Sequence, residues 1–471
     1  MMIHGLGFIG LSASLVLPLA LTGLAEGQRI TESLFRDVRP SSSVQEMPLP
    51  SRKLISQAST CPTQTTKIYY VNAGEGNDRD SGTSVRDAFK TIQRAADLTC
   101  PGDTVRIMNG VYKNGHRLGA VVDIKRSGRQ GRWIRYEAYP GHRPKLQLNG
   151  WNGILLTGNV SYIEINGLEL EGNNKNINHA DALNGKYSPS DPRTSGNCIS
   201  LDGRKNQGGL RPRHIRIVNN KVHDCGGTGI AIMESDYVTV DNNEVFNNAW
   251  YSIHGTSGIS LLNTWNSDNS QDYKMFVTRN KVYKNRMYIP WFVTGRIQDG
   301  NGIIIDRSRN NQRGSKLSAY RGRTLIANNI SYQNGGSGIH TYESDHVDIV
   351  HNTTYLNNQS PEITYGQIMT NSSADVKVLN NILYSEPGKP INANWNSDNI
   401  TFNYNHNANS TLVRVSGASD TKGDPLFVNP SAGDFRLRSN SPARNNGTRF
   451  NRVTTDILGN PRLDPPNRGA H

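Results

Sequence analysis

A short polar stretch, DGNGIIIDR (299–307), brings two carboxylates and a guanidinium together. A second stretch, SGIHTYE (337–343), carries an imidazole, a phenol and a third carboxylate. These groups suit the removal of a proton from a carbon beside a carboxylate, because Arg can neutralise that carboxylate while a nearby base takes the proton. The predicted catalytic residues are Asp306, Arg307, His340 and Tyr342.

The same carboxylates permit two other chemistries. Asp299, Asp306 and Glu343 offer the hard oxygen ligands that Ca²⁺ prefers, so Ca²⁺ is a predicted cofactor. Carboxylates at such a site can instead act as acid and base in glycoside hydrolysis. Flanking segments supply the predicted substrate-binding residues, which are Trp265 and Trp291 as stacking platforms for sugar rings, together with His254 and Lys284.

Each candidate also has an ordinary structural interpretation. Asp306 can close a strand, and Asp299 can begin the DGNG turn. Arg307 can pair with a surface carboxylate, and His340 and Tyr342 can simply be neighbours on one strand. The tryptophans can pack a loop onto the body of the protein. The elements that position these residues therefore decide between the interpretations.

An internal repeat supplies those elements. A Gly-Ile-x-apolar motif recurs at 228–234, 257–263, 301–307 and 337–343. It alternates with strands closed by Asn, whose second Asn falls at Asn220, Asn243, Asn280, Asn329, Asn352 and Asn381. The shortest repeat is 23 residues, which predicts one turn of a parallel β-coil. Asn tolerates the left-handed backbone of a bend, and stacked amides can hydrogen-bond along the coil. Asn-x-Ser/Thr matches such as Asn352 are therefore interpreted as bend residues and not as glycan acceptors.

The register of the Gly-Ile strands predicts which side chains face the core. The inward residues are Ile230, Ile259, Ile303 and Ile339. The outward columns are Ala231, Ser260, Ile304 and His340, then Met233, Leu262, Asp306 and Tyr342, followed by Glu234, Asn263, Arg307 and Glu343. With ~4.8 Å between strands, the catalytic candidates and Glu343 gather within roughly 5–10 Å. Insertions at 263–274, 285–299 and 307–323 should rise as walls beside these strands.

Amino-acid composition limits the chemical class of the expected binding partner. The formal charge of +13 and a pI near 9.5 favour a polyanion. Basic residues are scattered, and no helix-turn-helix, zinc-finger or RNA-recognition signature is present, so an acidic polysaccharide is expected and not nucleic acid. We expect the protein to act as a monomer.

The N-terminus predicts export. Residues 1–25 form an apolar run ending in Gly23-Leu24-Ala25, a pattern typical of a cleaved secretory signal, although an uncleaved anchor stays open because the first residues lack Lys and Arg. Residues 26–66 are predicted to be a flexible linker. Cys61 with Cys100, and Cys198 with Cys225, are plausible disulfides, with buried free thiols as the alternative.

Two segments carry a resemblance to a known family. YYVNAGEGNDRDSGTS…FKTIQRAADLTCPGDTVRIMNGVY and DPLFVNPSAGDFRLRSNSPARNNG (424–447) resemble secreted bacterial right-handed parallel β-helix proteins, including pectate lyases of polysaccharide lyase family nine and chondroitinase B-like lyases. DGNGIIID is similar to the family-nine segment whose outward lysine is the catalytic base. The matching position here is Ile304, which cannot accept a proton. A lyase of this kind would therefore need another residue as its catalytic base, and His340 and Tyr342 are the predicted replacements.

The predicted protein is all-β, a single right-handed parallel β-helix over 67–410 with a short N-terminal capping helix and a C-terminal extension or cap over 411–471. In that helix Phe89, Ile92, Ala95 and Ala96 share one face. We expect a secreted, periplasmic or cell-surface polysaccharide lyase that cleaves a uronate-containing polymer by β-elimination. The alternatives are a non-catalytic carbohydrate-binding surface protein, and a glycoside hydrolase or uronate epimerase.

Overall fold

The computed structural model describes residues 61, 66–116, 118–186, 191–204, 206 and 209–471. The predicted signal segment 1–25 lies outside these residues, as does the predicted linker 26–66 apart from Cys61 and Thr66. The described residues belong to one compact unit, Ser59–His471. No helix within them is both long and apolar enough to cross a membrane.

Short strands make up most of the described chain. The first are β1 (Ile68–Val71), β2 (Thr104–Ile107), β3 (Val111–Lys113), β4 (Ala120–Ile124), β5 (Ile134–Ala138), β6 (Lys145–Gln147), β7 (Asn152–Thr157), β8 (Ser161–Asn166), β9 (Glu169–Glu171), β10 (Asn197–Asp202), β11 (Arg213–Val218) and β12 (Lys221–His223). The central strands are β13 (Ile230–Met233), β14 (Asp236–Asp241), β15 (Glu244–Phe246), β16 (Ile259–Leu262), β17 (Tyr273–Thr278), β18 (Lys281–Tyr283), β19 (Ile303–Asp306), β20 (Arg323–Ala327), β21 (Ile330–Tyr332), β22 (Ile339–Tyr342), β23 (Val347–Val350) and β24 (Thr353–Tyr355). The last are β25 (Ile368–Asn371), β26 (Ala374–Leu379), β27 (Ile382–Tyr384), β28 (Asn392–Trp395), β29 (Asp398–Asn403), β30 (His406–Ala408), β31 (Thr421–Lys422), β32 (Phe427–Asn429) and β33 (Asp434–Leu437).

These strands form three long parallel sheets. Sheet A runs β1-β2-β5-β8-β11-β14-β17-β20-β23-β26-β29, sheet B runs β3-β6-β9-β12-β15-β18-β21-β24-β27-β30-β31, and sheet C runs β4-β7-β10-β13-β16-β19-β22-β25-β28. Each full turn of the chain adds one strand to sheet C, then to sheet A, then to sheet B. The predicted all-β fold, a parallel β-helix, is therefore confirmed. The antiparallel pair β32-β33 is not part of the three parallel sheets.

Inward side chains from all three sheets fill one continuous core. Ile230, Ile259, Ile303 and Ile339 have no exposed surface and belong to it, as predicted from the Gly-Ile motif. Aliphatic residues at stacked positions exclude water along the whole coil, and this burial is the main favourable term in folding.

Stacked asparagines close the bend between sheets A and B. The side-chain amide of Asn243 donates to Oδ1 of Asn280, and that of Asn280 donates to Oδ1 of Asn329. The left-handed residues are not these but the ones before them, such as Asn242 with φ 54°. Both predicted roles of Asn are therefore present, but on adjacent residues, because the ladder amide points inward while the preceding residue turns the chain.

A second ladder lies at the bend between sheets B and C. Its members are Asn248, Asn285, Asn334 and Asn357, with Gln367 at its end. Each Asn is fully buried, and its side-chain amide donates to the side-chain oxygen of the next member of the ladder. Each Asn stands five residues after its counterpart in the first ladder, a constant spacing that sequence reasoning overlooked. The two ladders fix the register of neighbouring turns.

Helix α1 (Ile92–Ala96) covers the beginning of the core, as predicted. Thr91 caps it by accepting from the Arg94 backbone, and Ile92, Ala95 and Ala96 are buried. Two further short helices were not predicted, α2 (His179–Asn184) and α3 (Pro192–Ser195), with 3₁₀ turns at Asn174–Asn176 and Pro430–Ala432. The plausible disulfides are both formed, Cys61–Cys100 and Cys198–Cys225.

The C-terminal segment does more than close one end. It folds back along the coil, and Phe427, Phe435, Ile457 and Ala470 pack on outward residues of sheet B. Val453 packs on outward residues of sheet A. The outer faces of both sheets are therefore covered by the chain itself over several turns.

Candidate functional site

Long connections flank sheet C at both ends of its strands β16 and β19. Residues 247–258 and 284–302 lead from sheet B into β16 and β19, and residues 263–272 and 307–322 leave these strands toward sheet A. The three predicted insertions are thus where the sequence placed them, beside the Gly-Ile strands. We refer to the outer face of sheet C between these connections as the groove, and to its outward side chains as the floor.

A buried ion pair anchors two of these walls. The Lys274 ammonium lies 2.7 Å from Asp236, and neither side chain is exposed. Asp236 also accepts hydrogen bonds from Tyr320 Oη at 2.7 Å and from Ser267 Oγ at 2.7 Å. Lys274 additionally contacts Asp268 at 3.0 Å. Since Ser267 and Tyr320 come from different walls, one carboxylate holds both walls against the coil.

The floor of the groove has the predicted register. Leu262, Asp306 and Tyr342 are successive partners on β16, β19 and β22. Ser260, Ile304 and His340 form the adjacent column. Asp306 and Tyr342 are partly exposed, whereas Ile304 and His340 are buried although they point away from the core.

Two carboxyl groups of the groove are unusually basic. Burial raises the pKa of Asp306 to about 7, with Arg307 opposing the rise and Asp299 and Glu343 adding to it. Burial raises the pKa of Asp299 to about 6, opposed by a hydrogen bond from Asn301 and by Arg307. Oδ1 of Asp306 is buried and has no hydrogen-bond partner among the described residues. A buried acceptor without a partner is rare in a folded protein and calls for an explanation.

Arg307 places a positive charge beside these groups. Its Nε lies 3.5 Å from the Glu343 carboxylate, and its guanidinium carbon lies 5.7 Å from the centre of the Tyr342 ring. Burial lowers the pKa of Arg307, but Asp306, Tyr342 and Glu343 more than offset this and raise it, so the group stays charged. Burial and Glu343 raise the pKa of Tyr342, against the opposing effect of Arg307, so its phenol stays neutral.

His340 is a neutral imidazole in an apolar setting. It is 6 % exposed, and burial lowers its pKa to about 4. Its strand partners are Ile304 and Met369, and its ring centre lies 6.4 Å from that of Tyr342. Neither ring nitrogen has a hydrogen-bond partner among the described residues. We call Asp299, Asp306, Arg307, Tyr342 and Glu343 the cluster. His340 borders the cluster but is not the proton acceptor best suited to neutral pH.

Sequence reasoning missed two residues of this site. Asn301, which is fully buried, donates to Oδ1 of Asp299 at 3.1 Å and accepts from the Ser337 backbone at 2.9 Å, so it orients Asp299. Asn301 lies in the DGNG motif, where its residue type indicates only a turn. Tyr365 has its ring 5.9 Å from His340, and burial with nearby Asp299 raises its pKa to about 12. It comes from an irregular connection with no repeat to reveal it.

Two of the predicted substrate-binding residues lie near the cluster. A Cβ at Gly255 would lie 2.5 Å from Oδ2 of Asp299 and 3.9 Å from the Trp291 ring, so glycine permits this close approach. His254 is the neighbour of Gly255 and packs edge-on against Phe292 at 5.5 Å. Burial and Arg204 lower the pKa of His254.

The other two predicted binding residues make their contacts with residues outside the cluster. Trp265 is stacked by Arg211, whose guanidinium carbon is 5.6 Å from the ring centre, and its backbone bonds to Ser235. Lys284 is exposed at the end of β18, and its carbonyl accepts from the Trp250 indole at 3.3 Å. No hydrogen bond or ion pair in the described part of the chain joins Lys284 to the cluster.

The three predicted Ca²⁺ ligands do not form a compact ligand set. Among the described residues, the one group of three or more whose ligand atoms all lie within 4.8 Å of one another is Glu171, His223 and Asp224. That group lies on sheet B, where Lys175 already contacts Glu171 and Asp224 at 3.1 Å. Asp299 and Asp306 have suitable oxygens, but Glu343 is engaged by Arg307. The arrangement therefore supports no mechanistic step through Ca²⁺.

Comparison with known proteins agrees with this architecture. Residues 69–381 match the family model described as Pel9A-like, right handed beta helix region. The structure is similar to the crystal structure of pectate lyase Pel9A, with 17% identity, a TM-score of 0.52, and coverage of 87% of this chain and 96% of that one. A rhamnogalacturonan lyase shares 16% identity over 77% of this chain and 90% of its own, with a TM-score of 0.40.

The structure of an epimerase is also similar to that of this chain. The Azotobacter vinelandii mannuronan C-5 epimerase AlgE4 A-module shares 14% identity, with coverage of 70% of this chain and 90% of that one and a TM-score of 0.33. No curated protein sequence matches this chain. The matched family model covers more than half of the chain and spans the turns that carry the groove. The predicted right-handed coil and the resemblance to polysaccharide-lyase β-helices are both confirmed, and the chain belongs to the Pel9A-like right-handed β-helix family.

Proposed function

We propose that this protein is an exported polysaccharide lyase that cleaves a uronate-containing polymer by β-elimination. The observation that carries the proposal is Oδ1 of Asp306, which lies beside Arg307 on the floor of the groove, is buried, and has no hydrogen-bond partner among the described residues. A substrate bound there supplies the missing partner. Two disulfides are consistent with an oxidising compartment outside the cytoplasm.

In this proposal Arg307 binds the carboxylate of the uronate. Its positive charge stabilises the negative charge that develops when the C5 proton leaves. Asp306 accepts that proton, because a carboxylate with a pKa of about 7 is a stronger base than an ordinary aspartate and is still ionised in weakly basic solution.

Tyr342 completes the reaction. The electron pair of the broken C5–H bond forms a double bond between C4 and C5, and the C4–O4 bond breaks. The neutral Tyr342 phenol donates its proton to the departing O4, which becomes the hydroxyl of the new chain end. Asn301 orients Asp299, and Asp299 helps to keep the pKa of Asp306 high.

A screen of pectate, alginate, glucuronan and chondroitin tests the proposal. Elimination leaves an unsaturated sugar that absorbs ultraviolet light. Asp306→Asn should lower this signal by about 10²–10⁴-fold, since general base catalysis is lost. Tyr342→Phe should also lower it. The matched control is Asp434→Asn, which alters an aspartate of the C-terminal segment. Wild-type activity in both site variants would refute the assignment.

Ca²⁺ stays a prediction, and the same screen tests it with a chelator. Loss of activity that added Ca²⁺ restores would show that the ion is required. We propose further that the protein acts as a monomer on acidic polysaccharide and not on nucleic acid, which sedimentation and competition with DNA would check.

Hydrolysis is a second candidate function. Asp299 and Asp306 both have raised pKa values, and a protonated and an ionised carboxyl group are what glycoside hydrolysis requires. New reducing ends without ultraviolet absorbance would favour it over elimination. Polymer binding without either product would indicate a binding protein.

A further inference from the structure

The floor of the groove continues past the cluster. The column that contains Asp306 and Tyr342 runs on through Asn371 on β25 to Trp395 on β28. At ~4.8 Å for each strand, Trp395 lies about 14 Å from Asp306 along the coil. Tyr342, Asn371 and Trp395 are all partly exposed, so this part of the floor remains accessible.

Two side chains frame the Trp395 ring. Tyr365 meets it edge-on, with ring centres 5.4 Å apart and an interplanar angle of 84°. The guanidinium carbon of Arg414 lies 6.0 Å from the ring centre. Since the Tyr365 ring is also 5.9 Å from His340, this platform of Tyr365, Trp395 and Arg414 is continuous with the cluster.

The chemistry of the platform suits an acidic sugar. A tryptophan face offers apolar area to the C–H face of a pyranose ring. Arg414 is exposed, and its side chain forms no ion pair with a carboxylate in the described part of the chain. A planar guanidinium can bind a carboxylate through two hydrogen bonds. A neutral sugar would use only the ring, whereas a uronate would use both groups.

We propose that Trp395, Tyr365 and Arg414 form a subsite for a uronate residue of the same polymer, about three strands beyond the reacting bond. This inference rests on the proposed function and deepens it. The polymer lies along the coil, and chains long enough to reach Trp395 are bound more tightly and cleaved faster than shorter ones.

Binding in the catalytically impaired Asp306→Asn background tests this subsite directly. Affinity electrophoresis in gels containing polygalacturonate, alginate, glucuronan or chondroitin measures the dissociation constant for each polymer. Adding Trp395→Ala should weaken binding about ten-fold, and Trp395→Phe should restore most of it. Arg414→Gln should weaken binding at low salt and reduce its dependence on salt.

Trp133→Ala is the matched control. Trp133 is also stacked by an arginine, with the Arg216 guanidinium carbon 4.1 Å from its ring, but it lies next to β5 in sheet A. Its removal should leave binding unchanged. Thermal unfolding of every variant shows whether the fold is intact.

The possible failures are distinguishable. If the wild type cleaves a polymer and Trp395→Ala binds it as tightly as the parent, the subsite is refuted while the proposed function stands. If Trp133→Ala weakens binding equally, the loss at Trp395 is not specific and the subsite is refuted. If no polymer is bound or cleaved by the wild type, both proposals fail.

Discussion

The outer faces of sheets B and C differ in how their side chains are covered. On sheet B, one outward column reads Lys145, Glu169, Lys221, Glu244 and Lys281 and then changes to Ile330, Thr353 and Ile382. The change occurs where the C-terminal segment covers the sheet and packs Phe427 and Phe435 on it. On sheet C, Ile304 and His340 are buried members of one outward column, and Asp306 lies in the adjacent column.

This contrast separates apolar side chains buried under the chain's own cover from polar side chains buried without partners. Where the chain supplies its own cover, the buried outward residues are mainly apolar and their burial stabilises the fold. In the groove, His340 and one oxygen of Asp306 are buried without partners, which costs free energy of folding. The proposed function offsets this cost at Asp306, because a bound substrate supplies the missing partner.

The largest expected effect comes from placing a charge in the part of sheet B that the C-terminal segment covers. Ile330→Lys places an ammonium under Phe427 and Phe435, and a buried charge without a partner should cost about 3–5 kcal/mol of unfolding free energy. Lys281→Ile, at the preceding position of the same column, should change it by less than about 0.5 kcal/mol. Urea unfolding and limited proteolysis of the C-terminal segment measure both, and equal effects would refute the contrast.

The next effect concerns the charge in the groove. Arg307→Gln should lower kcat/KM on the acidic polymer about 10²-fold, because the charge that stabilises the transition state is lost. On a methyl-esterified polymer, which lacks the carboxylate charge, the loss should be smaller. The matched control is Arg309→Gln, since Arg309 pairs with Asp345 at 2.8 Å. A loss of the same size on both polymers would contradict the assigned role.

A third effect is the pH dependence of stability. The folded-state pKa of Asp306, about 7, is above its ordinary value of 3.8, so its contribution favours the fold at low pH and is lost as pH rises through 7. Asp306→Asn should therefore gain stability relative to wild type between pH 4 and 7, by at most ~1.4 kcal/mol per pH unit.

Asp434→Asn provides the opposite sign for comparison. The hydrogen bond from Arg436 lowers the pKa of Asp434 to about 2, so its contribution is present above the ordinary value and is lost as pH falls through 2. The variant should be slightly less stable than wild type by a constant amount from pH 5 to 8. Urea unfolding at several pH values tests both, and a flat difference for Asp306→Asn would disprove its raised pKa.

The smallest expected effect concerns Lys284. Because it is exposed at the end of β18 and has no polar link to the cluster, Lys284→Ala should change kcat/KM by less than about two-fold. Initial rates at several polymer concentrations provide the measurement. A larger loss would return Lys284 to the substrate-binding residues that the sequence suggested.

The repeat explains why so much of the site was predictable. Side chains alternate across a strand and equivalent strands stack, so aligning Gly-Ile motifs was enough to place Asp306 beside Tyr342 and Ile304 beside His340. No such rule covers the irregular connections. Tyr365 and Gly255 reach the cluster from loops, whereas Lys284 and Trp265, chosen from their places in or beside the insertions, stay predictions.

The sequence by itself determined the coil, its register and the order of side chains along the groove, because these follow from the period of short-range patterns. The tertiary structure decided which outward residues are buried, since burial depends on distant segments that fold back or rise beside a sheet. The C-terminal segment over Ile330 and the surroundings that raise the pKa of Asp306 are both of this kind. A local pattern can place a carboxyl group, but only the packing around it sets its pKa.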